Sequence, residues 1–187
     1  MRHAGKTTTG DHARAIVSLP FVNAVAIPAV IVATSGTGLP VRMGAVDALR
    51  VAVAIVIAVT GAAVVAHCIA LFVRHGRGTL APWDPTRSLV VRGAYRYSRN
   101  PMKAGLFAVL LGEALLLASL PLFAWFACFA LVNAAYIRFH EEPGLHERFG
   151  AAYREYCARV PRWIPRLTTS AAFPATPKEN VCDPPSR

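Results

Sequence analysis

The sequence predicts an all-α integral membrane protein with about four transmembrane helices, the last two a tight hairpin, followed by a cytoplasmic amphipathic helix. Three observations carry that expectation. Hydrophobic residues make up 55% of the 187 residues and charged ones only 16%, a balance found in membrane chains rather than in soluble domains. The charge is missing from several long blocks, each of a length that suits a bilayer crossing. Finally, the lysines and arginines fall in alternate connecting segments. Three precede the first apolar block, two lie between the first and second, seven precede the hairpin, none lies in its turn, and eight follow it. With four spans, both termini and the large basic segment inside, this obeys the positive-inside rule.

Taken in order, residues 1–15 form a cytoplasmic segment with Arg2, Lys6 and Arg14. They look superficially like the start of a signal peptide. The apolar run beyond lacks a convincing small-residue cleavage site, so a retained first span is expected at residues 16–34, kinked by Pro20 and Pro28. Ser35-Gly36-Thr37-Gly38-Leu39-Pro40 reads as a loop. The second span is expected at residues 51–73, where Gly61, Ala62 and Ala63 offer a small face for close packing. His67 is its only strongly polar side chain, and a hydrogen bond to a neighbour is the ordinary role for such a residue.

Between residues 74 and 103 the chain turns basic, with Asp84 the single acid. Gly76, Gly78, Pro82 and Pro85 exclude a continuous helix through its first part. Asn100-Pro101 then signals a helix start, Asn as N-cap and Pro at the first helical position. The apolar stretch 104–137 would span about 51 Å as one helix, too long for one crossing, and Ser119-Leu120-Pro121 supplies a stop and restart. Glu113 lies in the first arm, where a carboxylate is a candidate for function or for a bundle-locking bond. After His140-Glu141-Glu142-Pro143, a stripe of Leu145, Phe149, Ala152, Tyr156 and Val160 marks the amphipathic helix. Trp163 suits headgroup depth. Residues 16–167 form the expected membrane domain, and the Pro- and Ser/Thr-rich residues 168–187 a disordered tail.

The chemistry concentrates on one side of the membrane. Arg92, Arg96 and Arg99, the helix start at Asn100, and the acids Glu141 and Glu142 could together hold a zwitterionic, hydroxyl-bearing ligand. Alternatively, the arginines face lipid phosphates and the glutamates neutralise them. The net charge of +10 flanks apolar spans, which points to anionic headgroups and away from nucleic acid. Four scattered cysteines give neither a disulfide framework nor a zinc site, and Pro143 between His140 and His146 argues against a metal there.

Four separated motifs then agree in order and spacing: Gly93-Ala94-Tyr95-Arg96-Tyr97-Ser98-Arg99-Asn100-Pro101-Met102 with Gly105; Glu141-Glu142-Pro143; Phe149-Gly150 with Tyr153 and Tyr156; and Val160-Pro161-Arg162-Trp163. Over residues 74–167 the chain resembles the isoprenylcysteine carboxyl methyltransferase and phospholipid methyltransferase family of integral membrane enzymes. The resemblance implies S-adenosylmethionine as methyl donor, held on the cytoplasmic side by Tyr95, Arg96, Arg99, Asn100, Pro101, Gly105, Glu141 and Glu142. It implies a lipophilic or small acceptor reached from the bilayer, with Glu113 and Arg162 as candidate catalytic residues and Tyr153 beside them. Two departures stand out: Lys103 where the family usually has an aromatic residue, and Leu80 after Gly78-Thr79 where close members often have proline. A non-catalytic membrane subunit with the family fold, and a sterol-reductase-like enzyme using NADPH, are the alternative readings.

Overall fold

A computed structural model describes residues 21–38, 44–75 and 91–165, with the side chains of 72–75 excepted. The N-terminal segment, the start of the first span, the glycine pair Gly76 and Gly78, and the tail 168–187 lie outside the described residues. Every element described is helical. α1 is Ile27–Ser35, α2 Ala45–His75, α3 Pro101–Leu117, α4 Leu120–Tyr136 and α5 Glu142–Arg159. A π-helical turn, Val22–Ala26, leads into α1, a short 3-10 turn, Gly93–Arg96, precedes α3, and a second π turn, Ile137–Glu141, joins α4 to α5.

Pro28 acts as expected. It sits in the first turn of α1, and the backbone widens into the π turn immediately before it. The ring removes one N–H and crowds the carbonyl four residues back, and the wider turn relieves that contact. α2 begins six residues earlier than the expected span, because Asp47 and Arg50 are accommodated on a helix whose first turn carries the acid and whose arginine finds work elsewhere. Arg50 Nη1 donates to the carbonyls of Leu115 at 2.5 Å and Leu116 at 3.0 Å, capping the carboxyl end of α3.

The most extensive contact is between α2 and α3. Glycine makes it close: a β-carbon on Gly61 would lie 2.6 Å from the Gly105 carbonyl oxygen, and one on Gly112 would lie 2.7 Å from Ala58 Cβ. Ala62 and Ala63, expected on the same small face, point outward instead, since a helix presents only every third or fourth residue to one neighbour. The hairpin turns where proline predicts. Ala118 is left-handed (φ 45°), Ser119 extended, and Ser119 Oγ lies 3.3 Å from Thr37 Oγ1 of the segment after α1. α3 and α4 are each 17 residues, about 25 Å.

Among the described residues two helical stretches, Ala45–Leu71 and Leu120–Arg159, are long and apolar enough to cross a membrane. They are not the buried core helices of a soluble protein. Val46 is 82% exposed and Leu131 71%, so both stretches carry unburied apolar surface.

Candidate functional site

The site is built where the 3-10 turn, the start of α3, the second π turn and α5 converge. Gly93 makes the first docking possible: it has φ +57°, and a β-carbon there would meet Leu71 Cδ1 at 2.6 Å and His67 Nε2 at 2.8 Å. The turn therefore lies on the end of α2, with the Tyr95 hydroxyl against the Cys68 thiol. Burial first, and Cys68 second, push the Tyr95 phenol well above its ordinary range. Tyr156 of α5 donates its hydroxyl to the Tyr95 carbonyl at 2.7 Å.

α3 starts at Pro101 with Asn100 as N-cap, as the Asn-Pro pair predicts, but the Asn100 side chain makes no capping bond. Nor, among the described residues, does a backbone carbonyl meet the N–H groups of Met102 and Lys103. Proline contributes no donor, so these two amides are what the helix start offers.

Directly above stands a charge cluster. Glu142 Oε1 accepts from Arg99 Nη1 and from Arg162 Nε, both at 2.9 Å, and Oε2 accepts from Arg162 Nη2 at 2.6 Å. The Arg162 contact is a bidentate fork, and its hydrogen bonding to Glu142 raises the guanidinium above its usual range. Arg99 Nη1 also donates to Cys157 Sγ at 3.0 Å, while its Nε is buried without a partner. The backbone fixes the geometry: Arg99 N donates to Pro161 O at 2.9 Å, and the buried Ser98 hydroxyl reaches the carbonyls of Arg162 at 3.1 Å and Trp163 at 3.2 Å. Beside it, Lys103 pairs with Glu141. Its Nζ lies 5.4 Å from the centre of the Tyr136 ring, which stacks on His140.

α5 is bent at Gly150, which has φ 49° and ψ −119°, and its buried stripe is Tyr153, Tyr156 and Val160, with Ala152 only half-buried. Leu145, Phe149 and Val91 pack against these three. Burial, then Cys157, lifts the Tyr153 phenol, and burial, then Tyr153, lifts that of Tyr156. Trp163, expected at headgroup depth, tilts against Phe107 of α3 at 5.5 Å.

The structure thus brings together Tyr95, Arg99, Asn100, Pro101, Glu141, Glu142 and Arg162. It places three other candidates elsewhere. Gly105 is occupied with Gly61 in the α2–α3 contact, Arg96 points outward, and Glu113 lies about 18 Å along α3 from its start, with Oε2 buried and unpartnered. Ser98 and Cys157 belong to the site and were not singled out by the sequence. Ser98 lies inside the first motif, but its role depends on a chain returning more than sixty residues later, and nothing flags Cys157. Among the described residues no group of three His, Cys, Asp or Glu is placed to hold a metal ion.

The phospholipid methyltransferase family model matches residues 49–152, more than half of the chain. The chain belongs to the phospholipid methyltransferase family. This family groups with the membrane methyltransferases of the isoprenylcysteine carboxyl methyltransferase type. The matched stretch runs from α2 past the Gly150 bend and ends before Arg162 and Trp163. No curated protein and no solved structure matches the chain. Family membership and the two long apolar helices together point to an integral membrane protein.

Proposed function

We propose that this protein is a four-span membrane methyltransferase that transfers a methyl group from S-adenosylmethionine to a lipid acceptor on the cytoplasmic side. Membership of the family, whose methyltransferases use that donor, supports the reaction class. The observation that carries it to these residues is the convergence of the motifs. Arg99, Glu142 and Arg162 are bonded into one cluster over a helix start whose donors are uncommitted.

The donor fits this place at its carboxylate end. Arg99 Nε is a buried donor without a partner, and the Met102 and Lys103 amides point out of an uncapped helix start. Together they would hold an anion. Glu142 is bonded to both arginines and so positions Arg99 and Arg162, and Oε2, which accepts a single hydrogen bond, keeps acceptor capacity for the ligand's ammonium. When bound, the donor would supply an already electrophilic sulfonium methyl, which would pass to the lone pair of a deprotonated acceptor and leave the demethylated thioether behind. The chain's contribution is alignment and exclusion of water, through α5 and the segment holding Trp163. Glu113, far along α3, is assigned no part in this.

Calorimetry in nanodiscs tests the reading directly. Saturable binding of S-adenosylmethionine, and labelled lipid on incubation with methyl-labelled donor, are expected. A protein that is folded by circular dichroism but binds no donor would be a family-fold scaffold instead.

A further inference from the structure

One hydroxyl in the site serves two residues at once. Ser98 is 2% exposed, and its Oγ donates to the carbonyls of Arg162 at 3.1 Å and Trp163 at 3.2 Å while accepting from the Asn100 N–H at 3.4 Å. In an extended chain successive carbonyls point to opposite sides, so a single hydroxyl meets both only where the chain is bent. It is bent here, over residues 162–164, between Pro161 and Pro165. The flanking prolines bring no N–H to hold the bend. Among the described residues, no backbone–backbone hydrogen bond outside the helices reaches residues 162–164, and Arg99 N stops at the Pro161 carbonyl. The two side chains that leave the bend go to different places. The Arg162 guanidinium forks onto Glu142, whereas the Trp163 ring lies on Phe107 of α3, which meets Phe129 of α4 edge-on at 5.9 Å.

We propose that Ser98 is a positioning residue for methyl transfer: by holding the bend it makes the Arg162 guanidinium and the Trp163 indole one unit, so that the donor clamp is set by the ring packing between the hairpin arms. This rests on the methyltransferase reading above. Neither side chain fixes the other unaided. Arginine has a long flexible stem, so its fork on Glu142 survives a shift of its own backbone. The indole packs through a broad face and tolerates sliding. A buried hydroxyl does not, since its one proton is shared by two carbonyls that find no other donor when it is lost. Removing it leaves Pro161 anchored through Arg99 N, which confines the damage to the bend. The indole then no longer restrains Arg162, and the donor's carboxylate meets a clamp with one mobile member. Trp163 thus contributes to donor binding from outside the clamp, and only through Ser98.

The test is a double-mutant cycle on donor binding, read by calorimetry with S-adenosylmethionine on the full chain in nanodiscs. Trp163→Leu alone should weaken binding about fivefold, and Ser98→Ala alone about tenfold. Combined, they should bind within about twofold of Ser98→Ala, because the indole has already lost its hold on Arg162. Ser98→Thr keeps the hydroxyl and should stay within about threefold of wild type, with Ser98→Cys, a weaker donor, falling between Thr and Ala. Ser98→Cys also carries the cycle if Ser98→Ala does not fold. Two unrelated structural defects would instead multiply to about fiftyfold, and that result overturns the proposal, as does wild-type affinity in a folded Ser98→Ala chain. A second readout needs no donor. In a chain carrying Trp83→Phe and Trp125→Phe, Trp163 is the remaining tryptophan, and Ser98→Ala should about double its quenching by aqueous iodide while Ser98→Thr leaves it unchanged. Unchanged quenching in Ser98→Ala overturns the proposal whether or not the donor binds. Absence of donor binding in the wild type, with quenching still governed by the Ser98 hydroxyl, counts against the methyltransferase reading and leaves Ser98 as the holder of the bend.

Discussion

Glu142 is bonded to two guanidiniums, and its side chain is only 13% exposed. Carrying one negative charge against two positive ones, it cannot be neutralised without leaving both arginines uncompensated in a partly buried place. Glu142→Gln keeps the shape but loses the charge and one acceptor. It should lower stability by about 3 kcal/mol and weaken donor binding at least tenfold, measured by thermal unfolding and calorimetry. If the substitution left donor affinity unchanged, Arg99 and Arg162 would not need Glu142 to hold them. The tyrosines make a second residue-scale expectation. Burial lifts the phenols of Tyr95, Tyr153 and Tyr156 above their ordinary range. Below about pH 10 folded and unfolded chains are both protonated, and the contribution to stability is intact. As pH rises beyond that the unfolded chain ionises first, so stability falls. The thermal midpoint should therefore decline above about pH 10. Tyr156→Phe should cost about 1 kcal/mol at neutral pH, for the lost bond to the Tyr95 carbonyl, and should make the alkaline decline shallower. A slope identical to wild type would count against Tyr156 as one of its sources.

At the scale of elements, the hairpin and the close helix pair were legible, and the bend in α5 was not. Pro121 stops a helix wherever it stands, so the break between α3 and α4 follows from local chemistry alone. Gly150 leaves no such mark. A glycine within a helical pattern reads as a small cost, and only the packing of Tyr153 and Tyr156 against Tyr95 and Val91 reveals why the chain bends there. Two substitutions check the elements themselves. Gly61→Val would drive a β-carbon to 2.6 Å from the Gly105 carbonyl, and backbone cannot retreat as a side chain can. The helices must part, and a loss of about 2–3 kcal/mol in thermal unfolding is expected. Ala118→Gly works in the opposite direction. Ala118 holds φ 45° at the turn, where an L residue is strained, and glycine should raise stability by about 0.5–1 kcal/mol in the same assay. Destabilisation by that change would mean that the turn's strain is not what limits the hairpin.

Across the whole molecule, the sequence disclosed which residues gather but not which of them bond to which. Charge and motif order brought Arg99 to the acids after α4, because a helical hairpin must return to the side it left. The pairing itself, Arg99 and Arg162 on Glu142 and Lys103 on Glu141, depends on ångström-scale register set by the second π turn and the Gly150 bend. The same return fixes the last expectation, which concerns sidedness. α3 and α4, at about 25 Å each, fall just short of a hydrocarbon core of about 30 Å, so the uncharged Ala118 turn can lie at the far interface without carrying charge through it. The opposite end bears Arg99, Lys103, Arg138 and the basic face of α5, and lysine and arginine resist translocation. The clamp should therefore face the cytoplasm, where S-adenosylmethionine would be supplied. In a chain with its four native cysteines replaced, a cysteine introduced by Glu147→Cys on the exposed face of α5 should react with a membrane-impermeant maleimide only in inverted vesicles. One introduced by Leu120→Cys, at the exposed start of α4, should react only in intact cells. Labelling of both from the same side would mean that the hairpin does not cross, and the donor and acceptor would then have to meet on a surface rather than at the end of a bundle.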